Sequence, residues 1–142
     1  YRSRSLCNFS DHYKQLNWRS EISHFIIPDE EGKLDELLKS AIHDRVDFVI
    51  TTGGTGIGPR DITPSVVRSV IEKEIPGIME MIRVKFGMEK PNALLSRSVA
   101  GVAGSTLIYA LPGSVKAVNE YLGEIIKTLK HSIFMLHGLD SH

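Results

Sequence analysis

Residues 47–64 read DFVITTGGTGIGPRDITP, and this stretch decides the fold because it joins a strand, a glycine-rich loop and a helix start. The continuous apolar centre at 48–50 is typical of a strand buried on both faces, as in a parallel sheet. Four glycines lie within residues 53–58, and they let the backbone come close to a phosphate or a flat ligand. Thr63 followed by Pro64 predicts a helix start with the threonine as cap.

The segments on either side alternate between strand-like and helix-like patterns. Strands are predicted at Ile22–Ile27 and, as two stretches, within Ser98–Ala110. Helices are predicted at Ser10–Trp18, Glu30–His43, Thr63–Glu74, Pro76–Phe86 and from Ser114 to about Gly138. This alternation predicts an α/β fold in which helices cover both faces of a mostly parallel sheet.

Composition excludes several classes of protein. The 142 residues are 42% hydrophobic and 24% charged, which is typical of one globular domain over residues 1–142. Lys plus Arg and Asp plus Glu both count 17, so a general nucleic-acid binder or a polybasic membrane-surface protein is disfavoured, although a local basic pocket is not. The single cysteine, Cys7, cannot form an intrachain disulfide. Without an apolar run of about 18 residues or a signal-like start at Tyr1–Ser5, we expect no membrane span and a cytoplasmic location.

Three loops are predicted at one sheet edge, at residues 28–30, 53–63 and 111–114. Each precedes a helix start, so each offers free backbone N–H groups to an anion. Arg60 can pair with an anionic group and Asp61 can hold Mg²⁺ or a hydroxyl; alternatively, the two form a solvated charge pair. Asp29 can share a divalent metal with Asp61, or it can cap the following helix.

The glycine-rich loop itself has neither of the two best-known phosphate-binding patterns. It lacks the Gly-Lys-Ser/Thr of a Walker loop and the G-x-G-x-x-G spacing of a dinucleotide site. A flexible surface loop is the plain alternative. The histidines are scattered over different elements, so no metal site is assigned to them.

The string TTGGTGIGPRDITP at 51–64, with PDE at 28–30 and LPGS at 111–114, resembles the Mog-type family of molybdenum cofactor biosynthesis. That family includes molybdopterin adenylyltransferases and the G domain of gephyrin, and the resemblance covers about residues 20–138. It implies a three-layer α/β/α sandwich, a homotrimer and transfer of AMP from Mg·ATP to the phosphate of molybdopterin, with release of pyrophosphate. Met79, Met81 and Phe86 are the apolar residues expected to be exposed for such assembly.

The resemblance also implies the site residues. The family's two functional aspartates fall on Asp29 and Asp61, which are therefore expected to be catalytic and to hold Mg²⁺. The substrate-binding positions fall on Gly53, Gly54, Thr55, Gly56, Arg60, Glu74, Ser96, Arg97, Leu111, Pro112, Gly113, Ser114 and Lys116. Two features depart from the family: Val115 stands where a proline is common, and the family's first apolar strand and Ser-Asp turn are missing before Ser10-Asp11.

The implied reaction needs no strong general base from the protein, because the attacking phosphate is already ionised near neutral pH. The protein must hold two anions in line and stabilise charge on the α-phosphate. The loop N–H groups of residues 53–56, with Arg60, Arg97 and Lys116, are the expected anion partners. The alternative function is a molybdopterin-binding homologue or scaffold module without transfer; the presence of both Asp29 and Asp61 favours the enzyme.

Overall fold

The structure, a computed structural model, describes residues 21–139. The helix predicted at Ser10–Trp18 lies outside these residues, as does the part of the chain to which the expectation about the family's first strand refers. Within them, no helix is long and apolar enough to cross a membrane.

The elements follow the predicted order closely. The helices are α1 (Glu31–His43), α2 (Thr63–Val70), α3 (Pro76–Gly87) and α4 (Val115–Leu136), with a short 3₁₀ helix at Pro91–Leu95. The strands are β1 (Phe48–Thr52), β2 (Lys73–Glu74), β3 (Val99–Ala103) and β4 (Thr106–Leu111). Leu111, predicted in a turn, is the last residue of β4.

The four described strands form one mixed sheet in the order β1-β4-β3-β2. β1 and β4 are parallel, as predicted. The predicted burial of β1 on both faces is wrong, because β1 lies at an edge of the described sheet and its apolar centre is only half-buried. β3 is antiparallel to both β4 and β2. A two-residue connection joins β3 to β4 at Gly104, whose φ is +58°, and so short a connection permits only antiparallel pairing.

Helices pack on both faces of this sheet, which confirms the α/β sandwich. On one face, Leu107, Tyr109 and Leu111 of β4 pack with α3 and α4. On the other, Ile108 and Ala110 pack with α1 and α2. The alternation along β4 follows from the period of two in a strand. Met79 of α3, expected at the surface, is buried in the first of these cores, and Phe86 is half-buried.

The strand predicted at Ile22–Ile27 is wrong. These residues have no regular secondary structure, and Phe25 and Ile26 are 68% and 67% exposed. A β-rich apolar run becomes a strand only when a partner strand and a core are available to it. None of the described strands pairs with this run.

The helix predicted at Thr63–Glu74 ends at Val70, four residues early. Ile71 is extended, and the amides of Glu72 and Ile75 donate to the carbonyls of Val102 and Ala100, each at 2.8 Å. Pairing with β3 therefore ends the helix and creates β2. Tertiary contacts overrode helix propensity here.

Candidate active site

The glycine-rich loop lies against the loop that follows β4. β1 and β4 are parallel, and their last residues, Thr52 and Leu111, are register partners. The Gly53 amide donates to the Leu111 carbonyl at 2.9 Å. A Cβ atom on Gly113 would be 3.2 Å from the Gly53 Cα, so the two backbones touch. The prediction that these two loops share one sheet edge is confirmed.

The loop starts in a backbone shape that favours glycine. Gly53 and Gly54 have φ values of +95° and +66°. A Cβ on Gly54 would be 2.5 Å from the hydroxyl oxygen of Thr63. The prediction that Thr63 caps its helix is therefore wrong: Thr63 is buried against the loop, and the N-cap is Ile62, which makes no side-chain cap bond.

The Asp61 carboxylate is folded back onto the same loop. Its Oδ2 accepts a hydrogen bond from the Gly58 amide at 2.8 Å. A Cβ would be 2.8 Å from that oxygen at Gly56 and 3.0 Å from it at Gly58. Glycine at both positions therefore makes room for the carboxylate. Within residues 21–139 the other oxygen, Oδ1, accepts no hydrogen bond, so it remains available to a ligand.

Arg97 joins the loop to the segment before β3. Its backbone amide donates to the Thr55 carbonyl at 2.7 Å. Its guanidinium donates from Nε to the Gly56 carbonyl at 2.7 Å and from Nη2 to the Asp61 carbonyl at 2.6 Å. The expected role of Arg97 as an anion partner stays a prediction, because the contacts seen are with carbonyl oxygens.

Three hydroxyl groups lie close together where the loop meets the segment before β3. The Ser96 hydroxyl is 2.7 Å from that of Ser98 and 3.5 Å from that of Thr55. Behind them, Nη1 of Arg83 donates to the Ser98 carbonyl at 2.9 Å, and the Ser96 carbonyl lies 3.5 Å away. Arg83 was not predicted from the sequence, since one arginine inside a helix reads as an ordinary surface charge.

Cationic side chains surround this edge of the sheet. Arg60 is exposed and forms no ion pair with any described residue. Lys116, in the first turn of α4, lies 3.9 Å from a carboxylate oxygen of Glu120. Hydrogen bonding and repulsion by Lys116 hold the pKa of Lys90 below its ordinary value. Lys90, between α3 and the 3₁₀ helix, is thus a second exposed cation near Lys116, and no sequence pattern marks it.

The start of α4 is built as predicted. The Ser114 hydroxyl accepts a hydrogen bond from the Ala117 amide at 3.2 Å, so Ser114 is the N-cap. Val115, where the family often has proline, is the first residue of the helix without disturbing this cap.

Two predicted residues lie apart from these contacts. Asp29 is exposed in an irregular segment, and its side chain makes no hydrogen bond or ion pair with a described residue. Glu74 lies on β2, at the opposite edge of the sheet from β1, where it pairs with Arg68 at 3.4 Å. Their roles stay predictions.

The donor set fits Mg²⁺ bound together with substrate phosphates. No group of three or more His, Cys, Asp or Glu side chains within residues 21–139 could enclose a metal ion. Mg²⁺ usually needs no such cage, because one or two carboxylates plus phosphate oxygens and waters complete its shell. The free oxygen of Asp61 is a suitable ligand of this kind.

Comparison with known proteins places the chain in a family. The family described as "Probable molybdopterin binding domain" matches residues 14–131. Molybdenum cofactor biosynthesis protein B of Staphylococcus carnosus is 39% identical over 126 residues, covering 86% of this chain and 74% of that protein. Gephyrin of Dictyostelium discoideum is 36% identical over 114 residues, covering 80% of this chain but only 16% of the much longer relative.

A solved structure agrees with the sequence matches. The molybdopterin biosynthesis Mog protein of Mycobacterium ulcerans superposes with a TM-score of 0.88 at 33% identity, covering 96% of this chain and 88% of the other. The family match spans most of the sequence, and the fold agrees over nearly all of it. The chain therefore belongs to the molybdopterin-binding domain family of molybdenum cofactor biosynthesis proteins.

Proposed function

We propose that this protein is a molybdopterin adenylyltransferase, which transfers AMP from Mg·ATP to the phosphate of molybdopterin and releases pyrophosphate. The observation that carries the proposal is the contact between two phosphate-suited loops at one sheet edge, with the Asp61 carboxylate fixed beside them. Two anions must meet in such a reaction, and adjacent loops can hold one each.

The charge of each residue determines its proposed role in the reaction. Asp61, together with Asp29, would hold Mg²⁺, which neutralises phosphate charge when bound. Backbone N–H groups of the glycine-rich loop and the start of α4 would orient the phosphates. Arg60 and Lys116, both exposed and cationic, would offset the negative charge that the two substrates bring together.

The test is the identity of the product. The purified protein is incubated with Mg·ATP labelled at the α-phosphate and with molybdopterin, and the pterin is separated and counted. Label on the pterin, with one pyrophosphate released for each label, is the expected result. A reaction without pterin is the control for simple ATP hydrolysis. Tight pterin binding without label on the pterin would refute the transfer reaction.

A non-catalytic binding module is the second candidate, and one observation favours it. The chain matches only 16% of the length of the Dictyostelium gephyrin, so related domains occur as parts of much longer proteins. In that case the same experiment gives pterin binding, an unlabelled pterin and no pyrophosphate.

We also propose a homotrimer as the assembly. A row of exposed apolar side chains on α3, on the 3₁₀ helix and at Met88 between them supports association, since single exposed apolar residues are common but a group of them is not. The row comprises Met81, Val84, Met88, Leu94 and Leu95, each at least 44% exposed. Light scattering should give about three times the chain mass of 15.8 kDa, and the mass of a single chain at micromolar concentration would refute this proposal.

A further inference from the structure

Arg97 donates three hydrogen bonds to the glycine-rich loop, and all three acceptors are backbone carbonyl oxygens. Its amide binds the carbonyl of Thr55, and its guanidinium binds those of Gly56 and Asp61, at distances of 2.6–2.7 Å. A guanidinium can span two carbonyls at once because its donors are fixed in a plane. Hydrogen bonds from a charged donor are also stronger than neutral ones.

These contacts determine which way the loop amides point. No peptide bond among the described residues is cis, and in a trans peptide the carbonyl and the following N–H point in opposite directions. With the carbonyls of Thr55 and Gly56 turned toward Arg97, the N–H groups of Gly56 and Ile57 must point away from it. Neither N–H donates to an acceptor in the described part of the chain.

Two neighbouring outward N–H groups form a concave site for an anion. The Ile57 side chain beside this site is 72% exposed, so the described residues leave it largely uncovered. Arg60, three residues further along the loop, is free to add charge. The loop therefore offers a phosphate a pair of directed donors.

Arg83 supports this arrangement from behind. From α3 it donates to the Ser98 carbonyl at 2.9 Å and approaches the Ser96 carbonyl at 3.5 Å, on either side of Arg97 in the chain. Within residues 21–139 it forms no hydrogen bond with the loop itself. Any effect of Arg83 on the loop must therefore pass through residues 96–98.

We propose that Arg97, supported by Arg83, is a positioning residue that turns the N–H groups of Gly56 and Ile57 outward to receive a phosphate group of the substrate. The identity of that substrate rests on the proposed function, whereas the orientation of the loop does not. Arg97 acts here through the loop carbonyls and not as a direct partner of the anion.

The test measures the loop in the full protein before and after addition of an anion. Amide signals of Gly56 and Ile57 are followed by NMR in the parent, Arg97→Met, Arg97→Lys and Arg83→Met, without ligand and during titration with inorganic pyrophosphate. Lys39→Met is the matched control, since it removes an exposed cation whose ion pair among the described residues is with Asp35 on α1.

In the parent, pyrophosphate should shift both amide signals. In Arg97→Met the Ile57 signal should already differ from the parent without ligand, because the guanidinium binds the preceding carbonyl of Gly56, and pyrophosphate affinity should fall on the order of 10-fold. In Arg83→Met both signals should differ, because its effect passes through residues 96–98. Arg97→Lys keeps the charge but donates from a single point, so it should not restore the parental signals. Lys39→Met should match the parent.

Three results would overturn the proposal. A parental Ile57 amide signal in ligand-free Arg97→Met or Arg97→Lys would show that the guanidinium does not orient the loop. Weaker pyrophosphate binding with unchanged ligand-free signals would show direct contact of Arg97 with the anion. Parental amides that ignore pyrophosphate would show that the outward N–H groups are not the site. If Arg97→Met does not fold, Arg97→Lys and Arg83→Met decide the question.

The outcome is separable from that of the proposed function. A parent protein that orients its loop and binds pyrophosphate, but never labels the pterin, would leave the positioning role intact and refute adenylyl transfer.

Discussion

Asp61 and Asp29 carry the same functional group and the same predicted role, but the carboxylate of Asp61 is held in place by the protein and that of Asp29 is not. The Asp61 carboxylate is bound by the Gly58 amide, and its own carbonyl is held by Arg97. Asp29 is exposed, and its side chain contacts no described polar group. A carboxylate fixed before the substrate arrives loses less freedom on binding a metal, so the two should contribute unequally to transfer.

The largest expected effect is that of Asp61→Asn. An asparagine oxygen can still accept from the Gly58 amide, so the loop should keep its shape while the negative charge is lost. AMP transfer should fall on the order of 10²-fold, comparable to the loss of one electrostatic contact in a transition state. Pterin affinity should stay level or rise, because one repulsive charge is gone.

Measuring pterin fluorescence and pyrophosphate release on one preparation checks this prediction. Transfer at the parental rate would show that Asp61 has only a structural role in the loop.

Gly56→Ala should displace the Asp61 carboxylate without removing its charge. The new Cβ would be 2.8 Å from Oδ2, and that oxygen is the movable end of a side chain, so the fold should survive. Transfer should fall about 10-fold, because a misplaced electrostatic contact is weakened but not lost. Gly123→Ala is the control, since its Cβ would meet nothing within 4 Å and its transfer rate should be unchanged. Equal rates for the two alanine variants would show that the position of Asp61 does not matter.

Asp29→Asn should cost less than either change at the loop. Its carboxylate must be ordered when the substrates bind, so its net contribution to holding Mg²⁺ is smaller, and a loss below about 10-fold is expected. Steady-state rates of pyrophosphate release at saturating Mg·ATP measure it. A loss as large as that of Asp61→Asn would show that substrate binding fixes both carboxylates equally well.

The smallest effect is expected for Tyr109→Phe, a change in the core below the site. Burial raises the pKa of Tyr109 to about 12, and its hydroxyl has no hydrogen-bond partner among the described residues. Transfer should be unchanged, and the free energy of unfolding near neutral pH should be equal or up to about 1 kcal/mol higher.

The pH dependence of the same variant has a definite sign. In the unfolded chain the phenol ionises near its ordinary pKa of 10.0, and in the folded protein its pKa is about 12, so parental stability falls as pH rises through this window. Denaturant unfolding across it should show a shallower fall in Tyr109→Phe. An identical slope in both proteins would contradict burial as the cause of the shift.

The sequence predicted the local structure around Asp61 well and the local structure around Asp29 poorly. The stretch at residues 47–64 predicted β1, the loop and the following helix because each depends on local residue choice, although β1 is only half-buried. Asp29 was placed at the same edge by assuming a strand at Ile22–Ile27. A short apolar run does not reveal whether a partner strand exists, and the described strands supply none.

The contacts that shape the loop could not be predicted, because they join distant parts of the chain. Arg97 is 41 residues from Gly56 and 36 from Asp61. The local sequence does not show whether an arginine will bind carbonyl oxygens or an anion. Likewise, the early end of α2 depends on pairing with β3, which lies about 30 residues further along the chain.

The Mg²⁺ dependence of pyrophosphate release tests the difference between the two aspartates most directly. The parent, Asp61→Asn and Asp29→Asn are assayed with ATP and molybdopterin across a series of Mg²⁺ concentrations. Asp61→Asn should need on the order of 10-fold more Mg²⁺ for half its maximal rate, and Asp29→Asn should need distinctly less than that. An unchanged Mg²⁺ requirement in Asp61→Asn, or a larger shift in Asp29→Asn, would contradict a metal held chiefly by the fixed carboxylate.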